Sequence, residues 1–335
     1  MISGRKNPYS ASLQKPQVLI SGCLMGKDFR YDGEIIYSCA VEMLTRHLHL
    51  IPICPEIEIG LSSPRPPIKL LKRGDERFLF QPASGRFMQR EIRAISLHHL
   101  RRNQNLAGLI LKEKSPSCGP DECKYFHPGD DVPAGRTAGI LPRLAARHRP
   151  YLPLISEIEI NDGKRLFYFL VRLGALHAWQ KLRANFSVAA LQRFQADYKL
   201  LLLGFNPEAT DKMGRLIAEQ KKYDRSRLLR EYRNMLMECL NGQLSPSRWK
   251  NVILHGYGHL SGQISESEKK NFMELLDDFV EGKAHWTAIH DQLLELAEIY
   301  DNEYLRSQKF LRPVPRRLKE DMRECGIYID PFSKR

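Results

Sequence analysis

The chain has 335 residues, 42% of them hydrophobic and 27% charged, and 52 Lys and Arg against 39 Asp and Glu give a formal charge of +13 at pH 7. That composition excludes an extended disordered chain and leaves room for two cores, because a single core stops growing near about 250–300 residues. The basic excess draws polyanions at long range and makes nucleic acid the leading class of partner.

In chain order, residues 1–16 mix Ser, Asn, Pro, Lys and Arg and read as a flexible tail without an apolar core of signal-peptide length. No later run is long enough to span a bilayer, so no membrane association and a cytoplasmic location are expected. In that reducing compartment the seven cysteines point to metal or cluster ligation before a disulfide framework.

Residues 18–21 predict a strand that runs into Cys23, followed by a loop whose Gly26 and Asp32-Gly33 mark tight turns. Ser38 is placed to cap a helix to about residue 47, which returns the chain to a strand at 50–53 ending in Cys54-Pro55-Glu56. The proline-rich segment 60–67 cannot be helical, and its Arg65 is placed to face an anionic ligand. A short ribbon around 78–80, a helix over 87–102 and a strand at 108–111 follow, and the last leads into Lys114-Ser115-Pro116-Ser117-Cys118-Gly119. The order strand, crossover, strand argues a parallel sheet. Open sheets of that kind bind ligands beyond the carboxyl ends of their strands, so Cys23, Cys54 and Cys118 are expected to converge beside Glu56.

Gly135 to Gly139 could be a glycine turn opening a helix, where backbone amides favour a phosphate. Pro150, Pro153 and the acidic stretch 157–162 mark a domain boundary. Beyond it apolar residues recur at helical spacing, as in Leu166, Phe169, Leu170 and Leu173 or Leu228, Tyr232, Leu236 and Cys239. Basic residues thicken along this half, from Lys212 to Arg233 and from Arg312 to Arg323. A solvated helix face accounts for them as readily as a polyanion site. The expected class is therefore α/β: a Rossmann-like parallel-sheet domain over residues 17–155, an all-α helical domain over 160–320 and a C-terminal tail over 321–335.

Structural zinc takes four ligands, often as paired CxxC steps, and no cysteine here is so paired. Three thiolates on separate loops suit a four-iron four-sulfur cluster with one iron left open, a soft Lewis acid whose natural guest is sulfur. Taken singly, Glu56 reads as a helix cap and Ser115 as a turn stabiliser. Beside Cys54 and Cys118, they read instead as a general base for water and a hydroxyl at the same place. Cys39, Cys239 and Cys325 fall in or near helical stretches and are expected to be small buried hydrophobes. Cys123 lies close enough to Cys118 to become a fourth ligand, which would close the cluster.

Ser21-Gly22-Cys23-Leu24-Met25-Gly26 with Arg30-Tyr31-Asp32-Gly33, then Cys54-Pro55-Glu56 with Pro64-Arg65, then Lys114 to Gly119, resemble in order and spacing the thiouracil desulfidase family. The resemblance covers about residues 17–150. It implies a four-iron four-sulfur cluster on Cys23, Cys54 and Cys118, with Glu56 and Ser115 as catalytic residues. The second half is similar to the helical domain fused to such desulfidases in some bacteria, through Asn161-Asp162, His177-Ala178-Trp179-Gln180, Tyr198-Lys199-Leu200-Leu201 and residues 304–315. Members with that fusion act on 4-thiouridine in transfer RNA.

The resulting expectation is a desulfidase that converts 4-thiouridine in tRNA to uridine by hydrolytic attack at C4, with sulfide leaving on the open iron. Glu56 would deprotonate the water, Ser115 would bond the ring or relay a proton, and Arg30, Asp32, Arg65 and Ser117 would contact substrate. One rival keeps the chemistry and changes the substrate to free thiouracil or a thionucleotide. Another is a non-catalytic RNA-binding or regulatory protein with a structural metal or a redox cluster.

Overall fold

Short apolar runs closed by turn formers become strands, and amphipathic runs capped by Ser or Asn become helices. In the computed structural model, which describes residues 15–333, the first such series is β1 (Gln17–Ser21), α1 (Cys39–His47), β2 (His49–Ile53) and α2 (Pro55–Glu58). Next come β3 (Lys69–Arg73), β4 (Glu76–Gln81), β5 (Arg86–Phe87), α3 (Gln89–Arg102) and β6 (Leu106–Leu111). β7 (Cys123–Phe126), β8 (Gly135–Thr137), α4 (Ile140–His148) and β9 (Leu154–Ser156) complete the α/β part. The expected tail over 1–16 lies outside the described residues apart from Lys15 and Pro16.

A four-stranded parallel sheet in the order β2-β1-β6-β9 forms the centre, with Val18 opposite both Leu50 and Gly108. Its inner strands are covered on both faces, which is why they read as unbroken apolar runs rather than alternating ones. Val18, Leu19, Ile20, Leu109, Ile110 and Leu111 are all fully buried. β1 connects through α1 to β2 on one side, whereas β6 and β9 extend the sheet on the other. The connections therefore diverge at the carboxyl ends of β1 and β6, the switch point at which open sheets bind ligands. As expected, the Ser38 hydroxyl caps α1 by accepting from Val41 N.

A second sheet, β5-β4-β3-β7-β8, is mixed: β3 pairs antiparallel with β4 and parallel with β7. Only a ribbon near 78–80 was legible in the sequence, because strands such as Lys-Leu-Leu-Lys-Arg are short and rich in charge. β9 was read as part of a boundary, since three residues after a proline carry no periodicity.

The remaining helices are α5 (Gly163–Ala184), α6 (Val188–Phe205), α7 (Pro207–Ala218), α8 (Arg225–Cys239), α9 (Pro246–Gly258), α10 (Glu266–Val280), α11 (Trp286–Ile299), α12 (Glu303–Ser307) and α13 (Arg316–Glu324). The described chain divides into one unit up to Phe169 with Glu320–Ile327, and another of Leu170–Lys319 with the segment from Tyr328. In the helical unit successive helices pack on each other, α6 on α7 and α9, α7 on α8, and α10 on α11. Its core holds Trp179 stacked on Tyr232, and Trp249 stacked on His290 with its indole N–H donating to His290 Nε2 at 2.8 Å.

Of the segment expected to be a C-terminal tail over 321–335, residues 321–327 are instead part of the first unit. Met322 and Ile327 are buried, Asp321 meets His47 Nε2 at 2.6 Å, and Cys325 is disulfide-bonded to Cys39. This corrects the reading of Cys39 and Cys325 as packing residues: their Cα atoms lie 5.7 Å apart across 286 residues of sequence, a contact that no local pattern reveals. Among the described residues no helix is long and apolar enough to cross a membrane.

A candidate active site at the strand ends

Cys23 lies in a single helical turn just past β1, Cys54 directly follows β2, and Cys118 sits in a tight turn after β6. Parallel strands end at one edge of the sheet, so the three loops meet there. One cavity of about 390 Å³ is lined by Cys23, Cys54, Cys118, Glu56, Ser115 and Ser117. Arg30, Arg65, Lys112 and Glu113 complete its polar wall.

The thiols feel one another. Burial pushes the Cys23 thiol up to about 11, and Cys54 adds to the shift. Burial likewise raises Cys54, and it carries Cys118 well above the usual thiol range, with smaller contributions from Cys23 and Cys54. Desolvated thiols facing each other resist ionisation until a cation joins them. Among the described residues no three His, Cys, Asp or Glu side chains are drawn together closely enough to hold a single metal ion.

Glu56 falls in the first turn of α2 and is buried. Its Oε2 accepts from Arg65 Nε at 2.9 Å and from Arg65 Nη2, and its Oε1 accepts from Ser117 Oγ at 2.6 Å. Ser115 points elsewhere: its Oγ lies 3.2 Å from the Cys118 thiol and accepts from Cys118 N at 3.2 Å. The hydroxyl on the carboxylate is thus that of Ser117, whereas the hydroxyl on the thiol is that of Ser115. Arg65 turns its fork to Glu56 and to the Ser62 carbonyl, not to open space. Arg30 lines the cavity and is paired at its outer side with Asp32 and Glu34. Asp32 does not line it; the Arg30 hydrogen bond holds that carboxyl well below the usual range.

The turn that carries Ser115, Ser117 and Cys118 is held by α4. Gly139 N donates to Gly119 O at 2.8 Å, Ile140 N to Pro116 O at 3.3 Å and Leu141 N to Ser117 O at 2.8 Å. The first amides of this helix therefore satisfy the turn's carbonyls, which corrects the reading of Gly135 to Gly139 as a phosphate cradle. Lys114 enters the turn at φ 63°, a left-handed conformation that a residue with a Cβ adopts at some cost.

Cys123 begins β7 outside the cavity lining, buried, with its thiol pushed up to about 12 by burial and by the charge of Glu56. Three supporting residues escaped the sequence reading. Ser21 ends β1 and accepts from Lys112 N at 3.0 Å, and Lys112 Nζ meets Glu157 at 2.5 Å. Glu157 also accepts from Glu113 N at 2.6 Å, tying the end of β6 to the segment after β9. A lysine placed directly after an unbroken apolar strand was the available signal.

Comparison with known proteins finds matches to parts of the chain. Residues 18–157 match the family model described as 2-thiouracil desulfurase. Residues 199–315 match a family described as a protein of unknown function, DUF1722, which here is a helical extension. The chain is 29% identical over 157 residues to an uncharacterized protein, YbbK, of Bacillus subtilis (strain 168), a match covering 43% of this chain and 98% of that one. It is also similar to a solved structure of the 4Fe-4S-dependent thiouracil desulfidase TudS, at 27% identity and a TM-score of 0.37, over 44% of this chain and 95% of the other.

Proposed function

We propose, from the match of residues 18–157 to the 2-thiouracil desulfurase family model, that the chain is a desulfidase that removes sulfur from a thiolated pyrimidine by hydrolysis. The observation that supports this reading best is one cavity holding three thiols beside a buried carboxylate and two hydroxyls. Cys23, Cys54 and Cys118 are the residues that would hold a four-iron four-sulfur cluster. Their soft donor set and their position around one cavity fit it. Bound there, the cluster would supply an iron without a protein ligand, a Lewis acid for a thiocarbonyl sulfur.

The chain's own residues do the rest. Glu56 takes a proton from the attacking water, with Ser117 fixing one carboxylate oxygen, and Ser115 supports the Cys118 thiol. Water adds its oxygen at the thiocarbonyl carbon and sulfur leaves at the oxidation level of sulfide, so no electron donor is required. The substrate we favour is 4-thiouridine within tRNA. The charge of +13 supports a polyanionic partner, and Lys221, Arg225 and Arg230 stand exposed in the helical unit. A base within RNA has to leave its stack to enter such a cavity.

The test is anaerobic: reconstitute the full chain, count iron and sulfide, and follow 4-thiouridine in bulk tRNA by its near-ultraviolet absorbance. About four irons per chain and loss of that absorbance are expected, with the tRNA reaction slowed by salt. Glu56→Gln should keep the iron and lose turnover. An iron-loaded protein that leaves tRNA unchanged but converts free thiouracil moves the substrate to the small base.

A further inference from the structure

A carboxylate works as a base only if one oxygen is aimed, and Glu56 has its two oxygens divided between two partners. Arg65 places Nε, at 2.9 Å, and Nη2 on Oε2, and Ser117 donates to Oε1 at 2.6 Å. The guanidinium is itself fixed. Its Nη1 donates to Ser62 O at 3.1 Å, and the Arg65 backbone N–H donates to Tyr31 O at 2.8 Å. The two side chains are only 4% and 10% exposed, so neither partner is traded for water.

We propose that Arg65 is the positioning residue of this site and not a substrate contact: its fork occupies Oε2 and thereby leaves Oε1, the oxygen shared with Ser117, to receive the proton. The inference rests on the desulfidase reading. A planar fork seated on one oxygen and anchored to two backbone segments prevents the carboxyl group from rotating, which a lysine could do only in part. A substrate phosphate or carbonyl seeking Arg65 would have to displace Glu56 from a buried ion pair. Misplacing a reacting group by about 1 Å costs on the order of 100-fold in rate, and that loss falls on turnover.

The experiment uses the full chain, reconstituted anaerobically, as wild type, Arg65→Met and Arg65→Lys. Expected are wild-type iron content and cluster absorbance in both variants, and kcat lower by about 100-fold in Arg65→Met with KM within about threefold of wild type. Arg65→Lys should fall between them. Millimolar guanidinium should restore part of kcat in Arg65→Met and none in Glu56→Gln. A raised KM with unchanged kcat makes Arg65 a substrate contact and overturns the proposal, as does unchanged kcat alone. Iron lost from both variants assigns Arg65 to the metal site and overturns it too. Should Arg65→Met fail to fold, the same split is read from Arg65→Lys. A wild type that is inactive on every thiolated base overturns the desulfidase reading and the proposal with it; an active wild type with an indifferent Arg65→Met overturns the proposal alone.

Discussion

Two serines one residue apart from a proline have different partners, and this decides what each substitution does. Ser117 donates to Glu56 Oε1 at 2.6 Å, whereas Ser115 lies 3.2 Å from the Cys118 thiol. Ser117→Ala leaves a buried carboxylate oxygen without its donor, at a cost of about 1–3 kcal/mol, and is expected to retain iron while turnover drops roughly tenfold or more. Ser115→Ala removes the hydroxyl beside Cys118, the proposed ligand; losses of about 10–100-fold in metal affinity are typical of such a change, so iron should bleed away first under a chelator. Chelator-challenge and single-turnover rates on the two variants separate the roles. The opposite split, with turnover lost only in Ser115→Ala, would return the catalytic hydroxyl to Ser115. From the sequence alone the catalytic role falls to Ser115 and a substrate contact to Ser117, but Ser-Pro-Ser-Cys states only that a hydroxyl is near the thiol and not which way the turn rotates it.

The turn after β6 is as much a product of α4 as of its own residues. A Cβ on Gly139 would stand 2.9 Å from Pro116 O and 3.0 Å from Ser115 O, backbone atoms that cannot yield as a flexible side chain does. Gly139→Ala is therefore expected to cost about 1–3 kcal/mol and to lower the iron retained per chain, measured by thermal unfolding and iron analysis. Unchanged iron with unchanged stability would show that the turn adapts. In the helical unit, α9 and α11 bury His290 beside Trp249, and burial and Lys319 hold its pKa down to about 3, against a smaller opposing effect of the Leu311 backbone. A histidine whose folded pKa is depressed stabilises the fold fully above its unfolded value near 6.5. As pH falls below that value the unfolded chain binds a proton that the native chain refuses, so stability is lost by about 1.4 kcal/mol per pH unit. Denaturant unfolding between pH 7 and 5 should show this slope, and His290→Gln should flatten it; an equal slope in the variant would place its origin elsewhere.

At the scale of the whole molecule, the chain makes two units, and residues 320–327 return to the first after the helices of the second. Cys39–Cys325 closes that return. Alkylation of the denatured, unreduced, iron-free protein should accordingly label the five cysteines outside the bond, and prior reduction should raise the count to seven. Seven labelled thiols without reductant would mean that the pair stays open in solution. Much of the α/β unit was legible, since β1, β2 and β6 are short apolar runs and their ends carry the cysteines, the glutamate and the serines. Apart from the ribbon near 78–80, the second sheet and β9 were not, because strands of two to six residues, several of them rich in charge, have no period to read. The sequence by itself determined the class of fold, the order of the parallel strands' loops and the chemical inventory at their ends, because burial and turn chemistry are written locally. Tertiary structure alone decided that Arg65 turns its fork to Glu56, that Ser117 rather than Ser115 meets the carboxylate, that α4 spends its first amides on the turn, and that Cys325 reaches Cys39. Each of these depends on the direction of a side chain or on a contact between distant segments, and neither is encoded in spacing along the chain.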